Sequence, residues 1–200
     1  MARMSPDQRR TAIVDAALVV MQRRGIAATT VRDVAAEMGT SSGLVHHYYA
    51  SMDELLADAF ELAAGDDLRT TREALVGPAP MDRLAQFLGS YSRGDDNVAM
   101  QLWLDAWADA ARRPALQATS RRLNEQWHAL LAELIRDGIA DGSMTCDEPE
   151  AASWRLLSML DGLALQGVAH RGAISPADAD RWVRRAAELE LGLDRGRLTP

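Results

Sequence analysis

Three observations predict an all-α fold of about nine helices for this 200-residue chain. Apolar residues recur at helical spacing almost throughout. No long stretch alternates with a period of two, and valine and isoleucine lie scattered among alanine and leucine. Serine, threonine, glycine and proline stand at the breaks where helices start and stop.

The first helix begins at Ser5-Pro6, an N-cap with proline at the first helical position. Its inner face reads Ile13, Ala16, Ala17 and Val20, and Gly25 ends it behind Arg23 and Arg24. Thr30 caps the second helix, with Asp33 three residues on. Val31, Val34, Ala35 and Met38 are its apolar positions, and Gly39 stops it. Ser41 caps a short third helix that runs to about His47. The fourth opens at Ser51 and turns Leu55, Leu56, Ala59, Phe60 and Ala63 inward. Gly77-Pro78-Ala79-Pro80 breaks the chain before a fifth helix with Leu84, Phe87, Leu88 and Tyr91. A turn at Gly94-Asp95-Asp96-Asn97 leads to a sixth, with Trp103, Ala106, Trp107 and Ala110 on one face. Asp105 and Asp109 lie off that face and are expected to be solvated. A long seventh helix carries Leu123, Trp127, Leu130, Leu131, Leu134 and Ile135. The eighth, about Pro149 to His170, is apolar nearly all round. Ser175-Pro176 starts the ninth, with Trp182, Val183, Ala186 and Leu189, and Leu193 to Pro200 read as a loose tail.

The formal net charge of −7 argues at first against a nucleic-acid partner. Its distribution argues the other way. Residues 1–50 hold six arginines against four acids, a local excess of +2, while the rest of the chain carries −9. Phosphate binding follows the local field and not the total. A single cysteine, Cys146, excludes an internal disulfide and a cysteine-based zinc site. No apolar run approaches the ~18 residues of a membrane span, and Met1 to Pro6 lacks the apolar stretch of a secretory signal, so a cytoplasmic location is expected. The sequence holds no H-E-x-x-H, phosphate loop or nucleophile motif, so neither catalytic residues nor metal ligands nor a cofactor are expected. His128 and His170 have no ligand companions at helical spacing.

Residues 29–48 carry the functional signal. A short helix, a tight turn at Gly39-Thr40-Ser41 and a second short helix with a polar start form the pattern of a helix-turn-helix, whose second helix enters the major groove. Thr30 and Arg32 stand at the start of the first of these helices, where free N–H groups and a guanidinium favour a phosphate. Ser41, Ser42 and Gly43 are small enough to let the backbone approach bases. His46, His47 and Tyr48 follow with several donors in one turn. The alternative, a purely structural helical corner, has no need of Ser-Ser-Gly followed by His-His-Tyr.

Residues 9 to 56 resemble the TetR-type DNA-binding domain. The resemblance rests on Arg10, Ala16-Ala17, Gly25, Thr30, Val34-Ala35, Gly39, Ser41, Leu44, and Tyr48-Tyr49 ahead of Leu55-Leu56. It implies that Thr30, Arg32, Ser41, Ser42, Gly43, His46, His47 and Tyr48 face DNA, and that Tyr49 packs inward. His46 stands where the family usually has an aromatic residue and Met52 where it has a phosphate-touching lysine, so one ionic contact fewer is expected per subunit. The histidine pair implies phosphate affinity that rises as pH falls toward ~6.5. Leu102 to Trp107, Trp127 and Leu160-Asp161-Gly162-Leu163-Ala164-Leu165 resemble the glycine-betaine (choline-sensing) subgroup of TetR-type repressors. That likeness implies a helical domain with an inner cavity and a dimer built by the last two long helices.

Helix periodicity supports the dimer independently, because a helix apolar on all sides must be covered on all sides. Trp154, Leu156, Leu163, Trp182, Val183 and Ala186 are the candidate interface residues for a four-helix, two-fold contact. The inward aromatics Phe87, Tyr91, Trp103, Trp107 and Trp127 either fill the core or form a cage for a cationic or flat effector. Asp161 falls on the Leu157–Ala164–Val168 stripe and must be paired there, with a neighbouring arginine or tryptophan N–H or with a polar or cationic effector. The expected organisation is a helix-turn-helix DNA-binding domain over 6–66, a helical effector-binding and dimerisation domain over 67–192, and a flexible tail over 193–200. The expected function is that of a ligand-responsive transcriptional regulator. It would act as a repressor that grips a palindromic double-stranded DNA operator as a homodimer, and a small molecule would release it.

Overall fold

The structure, a computed structural model, describes residues 4–91 and 98–198. The turn expected at 94–97, together with Met1 to Arg3 and Thr199-Pro200, lies outside the described residues. Among the described residues there are nine helices and no strand: α1 (Pro6–Arg24), α2 (Val31–Glu37), α3 (Ser42–Tyr48), α4 (Met52–Ala74), α5 (Pro80–Ser90), α6 (Val98–Ala110), α7 (Pro114–Ala140), α8 (Pro149–Ala169) and α9 (Pro176–Glu190). They divide into two compact units. One is Met1–Asp67 with Gln101–Leu123; the other is Leu68–Met100 with Asn124–Pro200. The first segment of the first unit ends one residue past the boundary expected at 66, but most of α6 and the start of α7 belong to it as well.

In the first unit, local chemistry sets the helix ends. Ser5 and Gln8 close a reciprocal capping box on α1, and Thr30 and Asp33 close one on α2. Gly39 adopts φ +62°, a conformation that costs other residues strain, and so lets Thr40 N–H bond back to the Ala35 carbonyl at 2.8 Å. That reversal sets the angle between α2 and α3. Ile13, Ala17, Val20, Ile26, Val34, Val45, Leu55, Leu56 and Phe60 are buried together with Trp103 and Leu116. Each large aliphatic or aromatic side chain removed from water this way contributes ~1.5–3 kcal/mol. Phe60 and Trp103 meet edge to face, 4.9 Å between ring centroids.

Asp105 and Asp109, expected in solvent, are engaged. Asp109 is buried and pairs with Arg112 at 3.2 Å and Arg113 at 3.3 Å. Asp105 accepts from the Ile26 N–H at 3.3 Å and from Gln101 Nε2 at 3.0 Å. Helical periodicity placed both correctly off the tryptophan face. It could not show that other elements pack on that side.

In the second unit α9 packs against α5 and α8. The core holds Leu84, Phe87 and Leu88, Trp127, Leu130, Leu131 and Ile135, Leu156, Leu157 and Leu160, and Val183, Ala187 and Leu191. On α9 the buried stripe is therefore Val183–Ala187–Leu191, and Leu189, one of the apolar positions named for this helix, is 66% exposed.

The tail expected to be loose is docked as far as Leu198, which is buried. Two buried charges of α9 grip its backbone: Arg184 Nη1 donates to the Leu198 carbonyl at 2.8 Å, and Leu198 N–H donates to Glu188 Oε1 at 3.2 Å. Arg184 also bonds Asp180 at 2.7 Å, and Glu188 bonds Arg185 at 3.2 Å. A ladder of charges at 180, 184 and 188 on an otherwise buried stripe needs partners, and the returning backbone supplies them.

Candidate functional site

Helix α3 is seven residues long, too short to hold itself folded in water. It is held by two inward side chains, Val45 and Tyr49. Tyr49, as expected, is buried. Its hydroxyl donates to Asp58 Oδ2 on α4 at 2.8 Å, and Arg10 of α1 reaches the same oxygen at 2.8 Å. The Arg10 guanidinium carbon lies 4.4 Å from the Tyr49 ring centroid, so three helices meet through one ring. Burial first, and the Asp58 carboxylate second, push the Tyr49 phenol well above its ordinary range and keep it a donor.

The outer side of α3 is open. Gly43, His46 and His47 are exposed, Ser42 and Tyr48 half-buried, and His47 meets Tyr48 edge to face at 5.2 Å. Ser41 occupies the N-cap position with extended backbone, but its hydroxyl makes no capping bond. A Cβ on Gly43 would find its nearest neighbour, Ser41 Oγ, at an ordinary 3.8 Å. Nothing among the described residues therefore requires a glycine there, although glycine costs a helix ~1 kcal/mol against alanine.

At α2 the expectation divides. Arg32 is exposed and forms no ion pair among the described residues, while Arg23 and Arg24 are paired with Glu37 and Asp33. Thr30 is already engaged: its hydroxyl donates to Asp33 Oδ2 at 2.6 Å and accepts from Asp33 N–H at 3.3 Å. The Thr30 hydroxyl, and then Arg24, hold the Asp33 carboxyl below its ordinary value. The first turn of α2 thus already carries an anion of its own, and Arg32 is left there without an ion pair among the described residues.

The candidate effector residues separate into two groups. Phe87, Tyr91 and Trp127 form a triangle in the second unit, with centroid separations of 5.9, 6.0 and 6.1 Å. Trp103 and Trp107 lie in the first unit, 5.5 Å apart, with Trp103 against Phe60. The five do not form a single cage within either unit. Asp161 is half-buried and has no hydrogen bond or ion pair among the described residues; burial alone raises its carboxyl to about 6. Neither an arginine nor a tryptophan N–H reaches it among the described residues. A cleft of about 620 Å³, open solvent at its mouth included, runs between α5, α8 and α9 past Tyr91, Leu160 and Asp180; Asp161 does not line it.

The candidate interface residues also divide. Trp154 and Trp182 are 40% and 42% exposed, and Ala186 is half-buried beside the exposed Leu189. Leu156 and Val183 are taken by the chain's own core and offer nothing to a partner, and Leu163 lines the cleft beside Val183. The helix faces are rotated from the expected stripes because α5 and the tail claim part of α9. Trp154 is backed by His128, whose ring stacks on it at 4.2 Å. Among the described residues no helix is long and apolar enough to cross a membrane.

A short exposed reading helix, braced from behind and preceded by a left-handed glycine turn, defines a helix-turn-helix DNA-binding regulator. Residues 13–59 match the family described as bacterial regulatory proteins of the tetR family, and residues 80–192 match the C-terminal domain of BetI-type transcriptional repressors. The chain belongs to the TetR family of transcriptional regulators, with a BetI-type C-terminal domain, and is not an enzyme. It is 30% identical to the HTH-type transcriptional regulator BetI 1 of Chromohalobacter salexigens, over 93% of this chain and 88% of that one. It is 31% identical to BetI of Stenotrophomonas maltophilia, over 80% of this chain and 81% of that one. Among solved structures, a TetR transcription regulator of Haloarcula marismortui shares the fold at TM-score 0.82 and 22% identity, covering 92% of this chain and 99% of that one. A Saccharomonospora viridis protein solved in complex with choline does so at TM-score 0.81 and 20% identity, covering 92% and 98%.

Proposed function

We propose that two copies of this chain grip a palindromic operator in the cytoplasm, repress the adjacent genes, and let go when a small cationic effector binds. The observation that carries the DNA reading is the outer face of α3. It offers an unforced glycine at 43, a Ser41 hydroxyl that makes no capping bond and exposed His46 and His47, with Arg32 on α2 in no ion pair among the described residues. Small and donor-bearing groups on a braced helix suit close approach to base edges, and Arg32 suits a phosphate.

Support for the dimer comes from α8 and α9. Trp154, Leu165, Trp182 and Leu189 are large apolar side chains left exposed. A Cβ on Gly162 would meet nothing within 4 Å, so that glycine leaves room for another helix. Two-fold pairing of these helices would set two α3 helices roughly 34–36 Å apart, or a multiple, on one side of a duplex. The cationic effector is supported by the Asp161 carboxylate, which has no partner among the described residues, and the aromatic triangle of Phe87, Tyr91 and Trp127, and by the choline held by the Saccharomonospora viridis protein. Effector binding would favour a state that separates the reading heads differently, with a coupling of ~1–3 kcal/mol.

Selection from random duplex oligonucleotides tests this reading. The expected product is a palindrome. Binding to it should weaken steeply with salt, with a slope that flattens in Arg32→Ala by about one released counterion per subunit. A chain that selects no sequence, or that stays monomeric at micromolar concentration, overturns it.

A further inference from the structure

We infer that the cleft between α5, α8 and α9 is a second ligand site, one that takes a neutral, largely apolar molecule carrying a hydroxyl, apart from the place proposed for a cationic effector.

Two helices build the cleft with the same spacing. Leu160, Ala164 and Gly167 of α8 line it, and so do Pro176, Ala179, Asp180 and Val183 of α9. In each helix successive members of the set fall three or four residues apart or side by side on one face. The end of α5 closes the third side with Leu88 and Tyr91. Leu88, Leu160 and Val183 are buried and give the cleft an apolar floor. Ala164, Gly167 and Ala179 are small and only half-buried. Larger apolar side chains at these three places would fill the space, as close-packed interiors do. With small ones the chain leaves an opening of about 620 Å³, solvent at its mouth included. Small-molecule sites span ~300–1,000 Å³ and likewise combine an apolar lining with a few fixed polar groups.

The polar groups decide the charge of the ligand. Asp180 is the one charged residue in the lining among the described residues. Its Oδ2 accepts from Arg184 Nε at 2.7 Å. Arg184 is buried and held in place, because its Nη1 donates to the Leu198 carbonyl at 2.8 Å and a Cβ on Gly89 of α5 would lie 2.9 Å from its Nη2. A cation entering the cleft therefore meets a carboxylate that is already neutralised, with a fixed guanidinium beside it. An anion meets the carboxylate itself. In an apolar slot an unmatched charge is costly, so neither is favoured. A carboxylate offers about four lone-pair sites, and Asp180 can accept from a hydroxyl without giving up Arg184. Asp161 differs on both counts: it has no partner among the described residues and does not line the cleft. The Tyr91 ring, 6.0 Å from Trp127, borders both the cleft and the aromatic triangle and offers the ligand a flat apolar face.

Calorimetric titration of the full chain with β-naphthol tests the inference. Saturable binding at one site per chain is expected. The methyl ether of β-naphthol keeps the rings and loses the donor, and should bind about 10-fold more weakly or less tightly still. Naphthylmethylammonium and naphthalenesulfonate, the cationic and anionic counterparts, should also bind more weakly than the phenol. Ala164→Leu and Ala179→Leu each place a side chain in the opening, and each should weaken β-naphthol binding by about 10-fold or more. Without ligand these variants should melt no lower than the wild type, which separates a filled cleft from a lost fold, and either one that does so suffices. Absence of β-naphthol binding, as when a second copy of the chain covers the cleft, overturns the inference. So does binding that the folded leucine variants leave intact, or a charged or methylated analogue that binds as tightly as the phenol.

Discussion

Replacing Asp161 by asparagine is expected to stabilise the protein, and to do so only at the upper end of the pH range. Asp161 has no partner among the described residues, and burial alone lifts its carboxyl from an ordinary 3.8 to about 6. Between those values the folded chain holds more protons than the unfolded chain. Wild-type stability therefore falls as pH rises from about 4 to about 6, and the loss is complete above that. A rise of that size corresponds to at most ~3 kcal/mol. The side chain is only half-buried, and water at its edge screens part of this, leaving ~1–2 kcal/mol. Asparagine carries no charge at any of these pH values. The variant should match the wild type near pH 4 and exceed it by that amount at pH 7.5. Urea unfolding at pH 4.5, 6 and 7.5 measures it, at fixed protein concentration because dimerisation ties stability to mass action. Equal stability at pH 7.5, or a gain of the same size at every pH, would refute the claim that an uncompensated charge sits there. The effector arm has the opposite sign. A cationic probe such as choline should bind the wild type more tightly as pH rises through 6, and the asparagine variant weakly throughout.

Tyr49→Phe keeps the ring but removes a bond to a charged oxygen; urea unfolding should show a loss of ~1–2 kcal/mol, and an unchanged midpoint would mean that Asp58 is satisfied by Arg10 alone. Gly43→Ala should raise the melting temperature slightly, since helix propensity favours alanine by ~1 kcal/mol and the Cβ has room. The same variant should weaken operator binding in a gel-shift titration, and tighter or equal binding would show that the α3 surface does not approach bases closely. Deleting residues 193–200 takes from Arg184 and Glu188 their bonds to the Leu198 backbone. A stability loss of ~2–3 kcal/mol is expected from the two buried groups left short of partners, and calorimetry showing no loss would mean that water replaces the tail.

What was legible in the sequence was what depends on neighbours along the chain. Caps at Ser5, Thr30 and Ser175, prolines at the starts of α1, α5, α8 and α9 and the glycine turn at 39 place the helices within a residue or two. These are contacts over one turn, and residue type nearly decides them. The helix-turn-helix pattern over 29–48 was legible for the same reason, because its caps and its turn are local, whereas the inward Tyr49 was implied by the family resemblance and is buried in the structure.

The tertiary structure alone decided which face met which neighbour. Periodicity says that α8 and α9 are apolar on more than one side, but it cannot say that Leu156 and Val183 go to the core while Trp154 and Trp182 stay outside. Nor can it say that Asp105 finds the Ile26 N–H 79 residues away, that Trp103 sits on Phe60 apart from the Phe87–Tyr91–Trp127 triangle, or that Arg184 holds the last turn of the chain. Such pairings depend on where the backbone returns in space. A helix face carries only its polarity, and several faces of like polarity compete for each partner until packing selects one.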